Sequence, residues 1–149
     1  MSVGEICNRE VVVIGPDTSI AAAARLMREQ HVGDLVVVEG APERPVPMGI
    51  VTDRDLVVEV LAEEVAPESV TVRDVMSDTL LTARAQDGLW ESLRRMRARG
   101  VRRMPVLDGQ GVLAGIVSVD DLLDLLAGEL TDLVKLVGRE REREQANRQ

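Results

Sequence analysis

The sequence predicts a mixed α/β (α+β) fold of two β-α-β-β-α repeats, packed about a pseudo-two-fold axis, with an extended C-terminal helix. Three observations lead there. The chain has 149 residues, 45% of them hydrophobic, which fits one domain or a tight pair of small repeats with a real core. The segment Gly49-Ile50-Val51-Thr52-Asp53-Arg54-Asp55-Leu56 reappears as Gly115-Ile116-Val117-Ser118-Val119-Asp120-Asp121-Leu122, and Val32-Gly33-Asp34-Leu35-Val36-Val37-Val38 reappears as Val101-Arg102-Arg103-Met104-Pro105-Val106-Leu107. Within each copy the apolar periodicity changes in the same order, so the chain is a tandem duplication.

Each element has its own justification. Val11 to Ile14 and Leu80 to Ala83 are short apolar runs ended by turn or polar residues and predict strands. Ile20, Ala23, Ala24 and Met27 fall at helical spacing within Ser19 to Gln30, and Leu89, Leu93 and Met96 repeat that stripe. Leu35 to Val38 and Met48 to Val51 predict two buried strands around a polar loop; Met104 to Leu107 and Leu113 to Val117 are their counterparts. The first loop, Glu39 to Met48 with Gly40 and three prolines, is longer than Asp108 to Ala114, which accounts for the difference in spacing between the two repeated segments. A second helix starts after Thr52 and after Ser118. The predicted organisation is a first repeat with N-terminal segment and linker over 1–69, a second repeat over 70–127, and a C-terminal tail over 128–149, amphipathic and then charged. A repeat of this size is marginal alone, so the two should pack face to face and leave related clefts between them.

Composition excludes several functions. One Trp and no Phe or Tyr leave no aromatic platform for stacking bases. A net charge of -8 repels polyanions in bulk and argues against nucleic-acid or anionic-membrane partners. Six of the 18 basic residues nevertheless cluster in Arg94 to Arg103, a contrast that suits a small phosphate-bearing ligand. That helix does not read DNA: Arg95 and Arg99 align, whereas Arg94 and Arg97 lie elsewhere around it. A lone Cys7 makes no internal disulfide and a lone His31 anchors no usual zinc site. His31 is expected at a helix end, Trp90 as a packing anchor. With no signal pattern at Met1 to Arg9 and no long apolar run, a cytoplasmic location is expected.

The strand-to-helix junctions carry the chemistry. Thr52-x-x-Asp55 and Ser118-x-x-Asp121 are helix-capping arrangements, in which side chains satisfy the free amides of a first turn. They also suit a nucleotide: a helix N-terminus attracts phosphate, and a carboxylate one turn in can accept both ribose hydroxyls. Gly49 and Gly115 would then permit close backbone approach.

These residues resemble the cystathionine-β-synthase (CBS) domain, here as the tandem pair often called a Bateman module. The resemblance covers about residues 6 to 127. Its carriers are the two Gly-apolar-x-Thr/Ser-x-x-Asp motifs, the strand Met104-Pro105-Val106-Leu107-Asp108, and Val75-Met76-Ser77 at the start of the second copy. It implies a regulatory sensor, not an enzyme, with no obligatory cofactor, that binds an adenosine-containing ligand such as AMP, ADP, ATP or S-adenosylmethionine between the repeats. Asp55 and Asp121 would take the ribose, with Thr52 and Ser118 supporting ribose and phosphate. Gly33, Asp34 and Leu35, and in the second copy Arg102, Arg103 and Met104, would approach adenine or phosphate, and Val12, Ile50, Val101 and Ile116 would wall the base.

The clefts are expected to differ. Arg102 and Arg103 are expected beside Ser118 and Asp121, where two guanidinium groups suit phosphate oxygens; their alternative is the solvated end of a charged helix. Asp34 is expected beside Thr52 and Asp55, where it would repel phosphate unless Arg54 offsets it. The second cleft should therefore hold a nucleotide more tightly. Leu122, Leu126, Leu130, Leu133 and Val137 form a stripe with no counterpart in the first copy, which needs either a homodimer partner or the parent domain. An unidentified protein effector completes the sensor reading. Its alternative is a protein-interaction or dimerisation scaffold with vestigial clefts.

Overall fold

The computed structural model describes residues 1–148. The first copy runs through α1 (Val3–Ile6), β1 (Val13–Ile14), α2 (Ile20–Gln30), β2 (Asp34–Glu39), β3 (Val46–Thr52) and α3 (Asp53–Asp55), then continues as a π-helical turn over Leu56–Leu61. The second runs through α4 (Val72–Val75), β4 (Ala83–Arg84), α5 (Leu89–Arg99), β5 (Arg103–Leu107), β6 (Leu113–Ser118) and the long α6 (Val119–Asn147). Two three-stranded sheets result, ordered β1-β2-β3 and β4-β5-β6. β1 lies parallel to β2, with Val13 opposite Val36, and β2 lies antiparallel to β3, with Val36 opposite Ile50. The chain divides into two compact units, Met1–Val117 and Ser118–Gln149.

The predicted duplicated α/β architecture and the C-terminal helix are both present. The local differences have simple reasons. β1 and β4 are shorter than their apolar runs, because only Val13 and Ile14, and Ala83 and Arg84, find partners in the neighbouring strand. α1 and α4 were not predicted; each is a single turn held by a capping box, Ser2 with Glu5 and Thr71 with Asp74. Ser19 caps α2 by accepting from the Ala22 amide at 3.2 Å, whereas Gly88 stands at the same place before α5 with no side chain to offer. His31 ends α2 in the left-handed region at φ 55°, where Gly100 ends α5 at φ 66°.

The cores of the copies are built from matching positions. Ile14, Ile20, Met27, Leu35, Val37, Val51 and Val72 are buried in one. Ala83, Leu89, Met96, Met104, Val106, Val117 and Val3 are buried at the corresponding places of the other. Val3 and Val72 come from the segment that opens each copy, and those segments cross over. The amides of Val3 and Gly4 donate to the carbonyls of Asp87 and Ala85, while those of Val72 and Arg73 donate to Thr18 and Pro16. The exchange continues as Asn8 bridges to Ile116 and Ser77 to Ile50. Each copy is thus completed by the opening segment of the other, as a pseudo-two-fold requires.

The motif glycines serve this crossing. A Cβ on Gly49 would lie 2.7 Å from the Ser77 carbonyl oxygen, and one on Gly115 would lie 2.6 Å from Cys7 Sγ and 2.8 Å from the Asn8 carbonyl oxygen. The close approach expected at these glycines is therefore made by the other repeat's own backbone.

Candidate functional site

The crossing of Ser77 onto Ile50 sets up a cavity. The end of β3 delivers Ile50 and Thr52, the following turn delivers Asp53, Arg54 and Asp55, and the bridged segment brings Ser77, Thr79, Leu80 and Leu81 alongside. The entry to β5 closes it with Val101, Arg102 and Arg103. The space is about 370 Å³, within the range of small-molecule sites. Aliphatic side chains form one part of the wall. Three guanidinium groups and two carboxylates supply the polar part.

The Thr52 junction is a reciprocal cap. Asp55 Oδ2 accepts from the Thr52 amide at 2.8 Å, and the Thr52 hydroxyl accepts from the Asp55 amide at 3.2 Å. This satisfies free amides at the start of α3 and fixes the Asp55 carboxylate at the cavity wall. Asp53 is tied in by its own amide, which donates to the Gly33 carbonyl at 2.9 Å. A side chain at position 33 would meet Asp53 Oδ2 at 2.9 Å, so Gly33 makes room for a neighbouring carboxylate.

Arg103 is held from behind. Its Nε lies 2.8 Å from Asp34 Oδ1, with both side chains mostly withdrawn from solvent. Burial pushes the Asp34 carboxyl above its ordinary range; Arg103 pulls it down and Asp53 adds to the rise. Desolvation outweighs the ion pair, as expected where a carboxylate gives up water for a single charged partner.

The structure brings together seven of the expected residues: Ile50, Thr52, Arg54, Asp55, Val101, Arg102 and Arg103. Arg102 and Arg103 line a cavity with Thr52 and Asp55, where the crossover sets the entry of β5 against the end of β3, and Asp34 forms an ion pair with Arg103 at its edge. Leu35 and Met104 are fully buried core residues and do not line the cavity. Val12 packs against the first core, and its carbonyl accepts from the Val36 amide; Ile116 is engaged by Asn8. Ser118 and Asp121 belong to the second unit. There they form their own cap, with the Ser118 amide 2.9 Å from Asp121 Oδ2 and the Asp121 amide 3.1 Å from Ser118 Oγ.

Sequence reasoning did not include Asp53, Ser77, Thr79, Leu80 and Leu81. Ser77 carried a signal, since the start of the second copy was itself a recognisable segment. Its destination beside Ile50 depends on the crossover, which no local pattern encodes. Among the described residues, no three His, Cys, Asp or Glu side chains gather as a metal site would require. No helix of the described residues is long and apolar enough to cross a membrane.

A duplicated β-α-β-β-α unit with a strand-to-helix junction opening on an inter-repeat cavity defines the class. The CBS domain family model matches residues 3–62 and again 72–128, and the chain belongs to that family as a tandem pair. CBS pairs are regulatory modules. The chain is 36% identical over 125 residues to an uncharacterized protein of Methanopyrus kandleri, covering 84% of this chain but only 62% of that protein. It is 33% identical over 118 residues to hypoxic response protein 1 of Mycobacterium tuberculosis, covering 79% of this chain and 80% of that one. A crystal structure of hypoxic response protein I with two coordinated zinc ions has a TM-score of 0.70 at 31% identity, covering 83% of this chain and 98% of that one.

Proposed function

We propose that this chain is a regulatory sensor that binds an adenosine-containing ligand, AMP, ADP, ATP or S-adenosylmethionine, in the cavity between Thr52 and Arg103. Residues 1–69 and 70–127 act as its two repeats. Ligand bridging them changes their packing, and with it the affinity for a second copy or a protein effector, by the difference in binding energy between states.

The observation that carries this reading is the joining of Asp55 to Arg102 and Arg103 in one cavity. The capping box uses Asp55 Oδ2; Oδ1 is left to accept from ribose hydroxyls. Arg54, Arg102 and Arg103 supply guanidinium donors for phosphate or carboxylate oxygens, and Ile50, Leu80, Leu81 and Val101 offer apolar surface to a purine. A CBS domain pair sharing the fold alone, at 22% identity and a TM-score of 0.74, was solved in complex with 5′-methylthioadenosine and S-adenosyl-L-methionine.

The test is a thermal-shift panel of AMP, ADP, ATP, S-adenosylmethionine, NADH and GTP. A ligand at a hundredfold its Kd adds about 2.7 kcal/mol, which for a chain of this size raises Tm by roughly 5 to 10 °C. The shift should be confined to adenosine compounds, and Asp55→Ala should raise the ligand concentration needed for the same shift at least roughly tenfold. No shift with any compound at millimolar concentration would favour the scaffold reading, for which the exposed leucines of α6 speak.

A further inference from the structure

α6 has 29 residues and so extends about 44 Å. Along it Val119, Leu123, Leu126, Leu130, Leu133 and Val137 alternate in spacings of four and three, the pattern by which one helix seams to another. Beyond Val119 this seam is open: Leu123, Leu130 and Leu133 are 58%, 63% and 58% exposed, and Val134 and Leu136 widen the stripe beside it. A contiguous apolar stripe of this kind marks an interaction surface.

Charge on the same helix identifies the occupant. Its first half, 119–132, carries Asp120, Asp121, Asp124, Glu129 and Asp132 and no cation. Its second half, 133–147, carries Lys135, Arg139, Arg141 and Arg143 against Glu140, Glu142 and Glu144. Two copies laid parallel would set the acidic half on the acidic half. Laid antiparallel, they set acidic against basic, and their helix dipoles oppose favourably.

We infer that α6 is a self-association surface that pairs antiparallel with α6 of a second copy, centred on Leu130. This rests on the homodimer reading and adds its register. Leu123 then lies level with Val137, Leu126 falls within one residue of level with Leu133, Leu130 meets its own equivalent, and the partner's Arg139 comes level with Asp121, one turn from Asp124.

The test uses the full chain carrying Cys7→Ser. Leu126→Cys and Leu133→Cys proteins, mixed and oxidised, should form a disulfide between the two variants and little within either alone. Crosslinking of Leu126→Cys to itself would overturn the antiparallel register while leaving a homodimer. Sedimentation equilibrium at micromolar concentration should show a dimer for the natural sequence. Leu130→Glu with Leu133→Glu, both at exposed sites, should weaken it at least roughly tenfold without changing the melting of the first unit. A dimer that survives this double change would overturn α6 as its surface, and a monomeric natural sequence would overturn register and homodimer together. High salt should weaken the antiparallel pair; strengthening by salt would argue against the charge match.

Discussion

Asp34 and Arg103 occupy the same place in the two repeats, at the entry to the middle strand, and they meet across the pseudo-two-fold at 2.8 Å. Two identical repeats would set like charge against like charge there. A duplicated chain escapes that constraint, because each copy can take the sign the other needs. At this contact the two copies have diverged to opposite charges. In the cores the same positions remain aliphatic in both, since one shape suits both sheets.

The junctions of the copies show a second divergence. Both carry the reciprocal cap, but Ser118 Oγ also donates to Asp121 Oδ2 at 2.7 Å, a bond the Thr52 hydroxyl does not make to Asp55 among the described residues. The first junction gives way after one turn to a π-helical segment, a distortion common at functional sites, and the second begins the 29-residue α6. The same local chemistry thus opens a cavity wall in one copy and starts a long helix in the other.

The largest expected effect tests what the copies still share. Gly49→Val and Gly115→Val should each destabilise the fold by about 3 kcal/mol, since each new side chain meets backbone of the crossing segment. Similar losses in thermal melts would affirm the exchange; tolerance of either would break it. Next comes the charge pair. Arg103→Asp should cost about 2 kcal/mol by placing two carboxylates at a half-buried contact, and adding Asp34→Arg should recover most of that loss in denaturant titrations. A double variant no better than the single would deny the pairing.

The pair also has a pH signature. Because the Asp34 carboxyl is raised in the folded state, its ionised form opposes folding. That cost is absent below the unfolded pKa and grows as pH rises through the folded value. The stability of Asp34→Asn relative to the natural chain should therefore increase with pH across that window; a flat difference would remove the burial argument. The smallest effect is in the cores. Ser92 is buried with its hydroxyl unpartnered, where the first copy has the buried Ala23. Ser92→Ala should stabilise by about 0.5 kcal/mol, read as a small rise in Tm.

The sequence by itself determined the duplication, the order of the strands and longer helices, both capping junctions and the apolar stripe of α6. These are encoded in short range: apolar spacing follows helix and strand geometry, and a capping box closes within four residues. Half of the cavity was legible in the same way, since Thr52, Arg54 and Asp55 stand within one turn. Only the tertiary structure decided which half of the other repeat joins them. The opening segment of each copy crosses to the other, so Ser77 reaches Ile50 and Arg103 reaches Asp34 and the Thr52 junction. Pairing between segments this far apart is set by packing over the whole interface, which no local pattern of residues encodes.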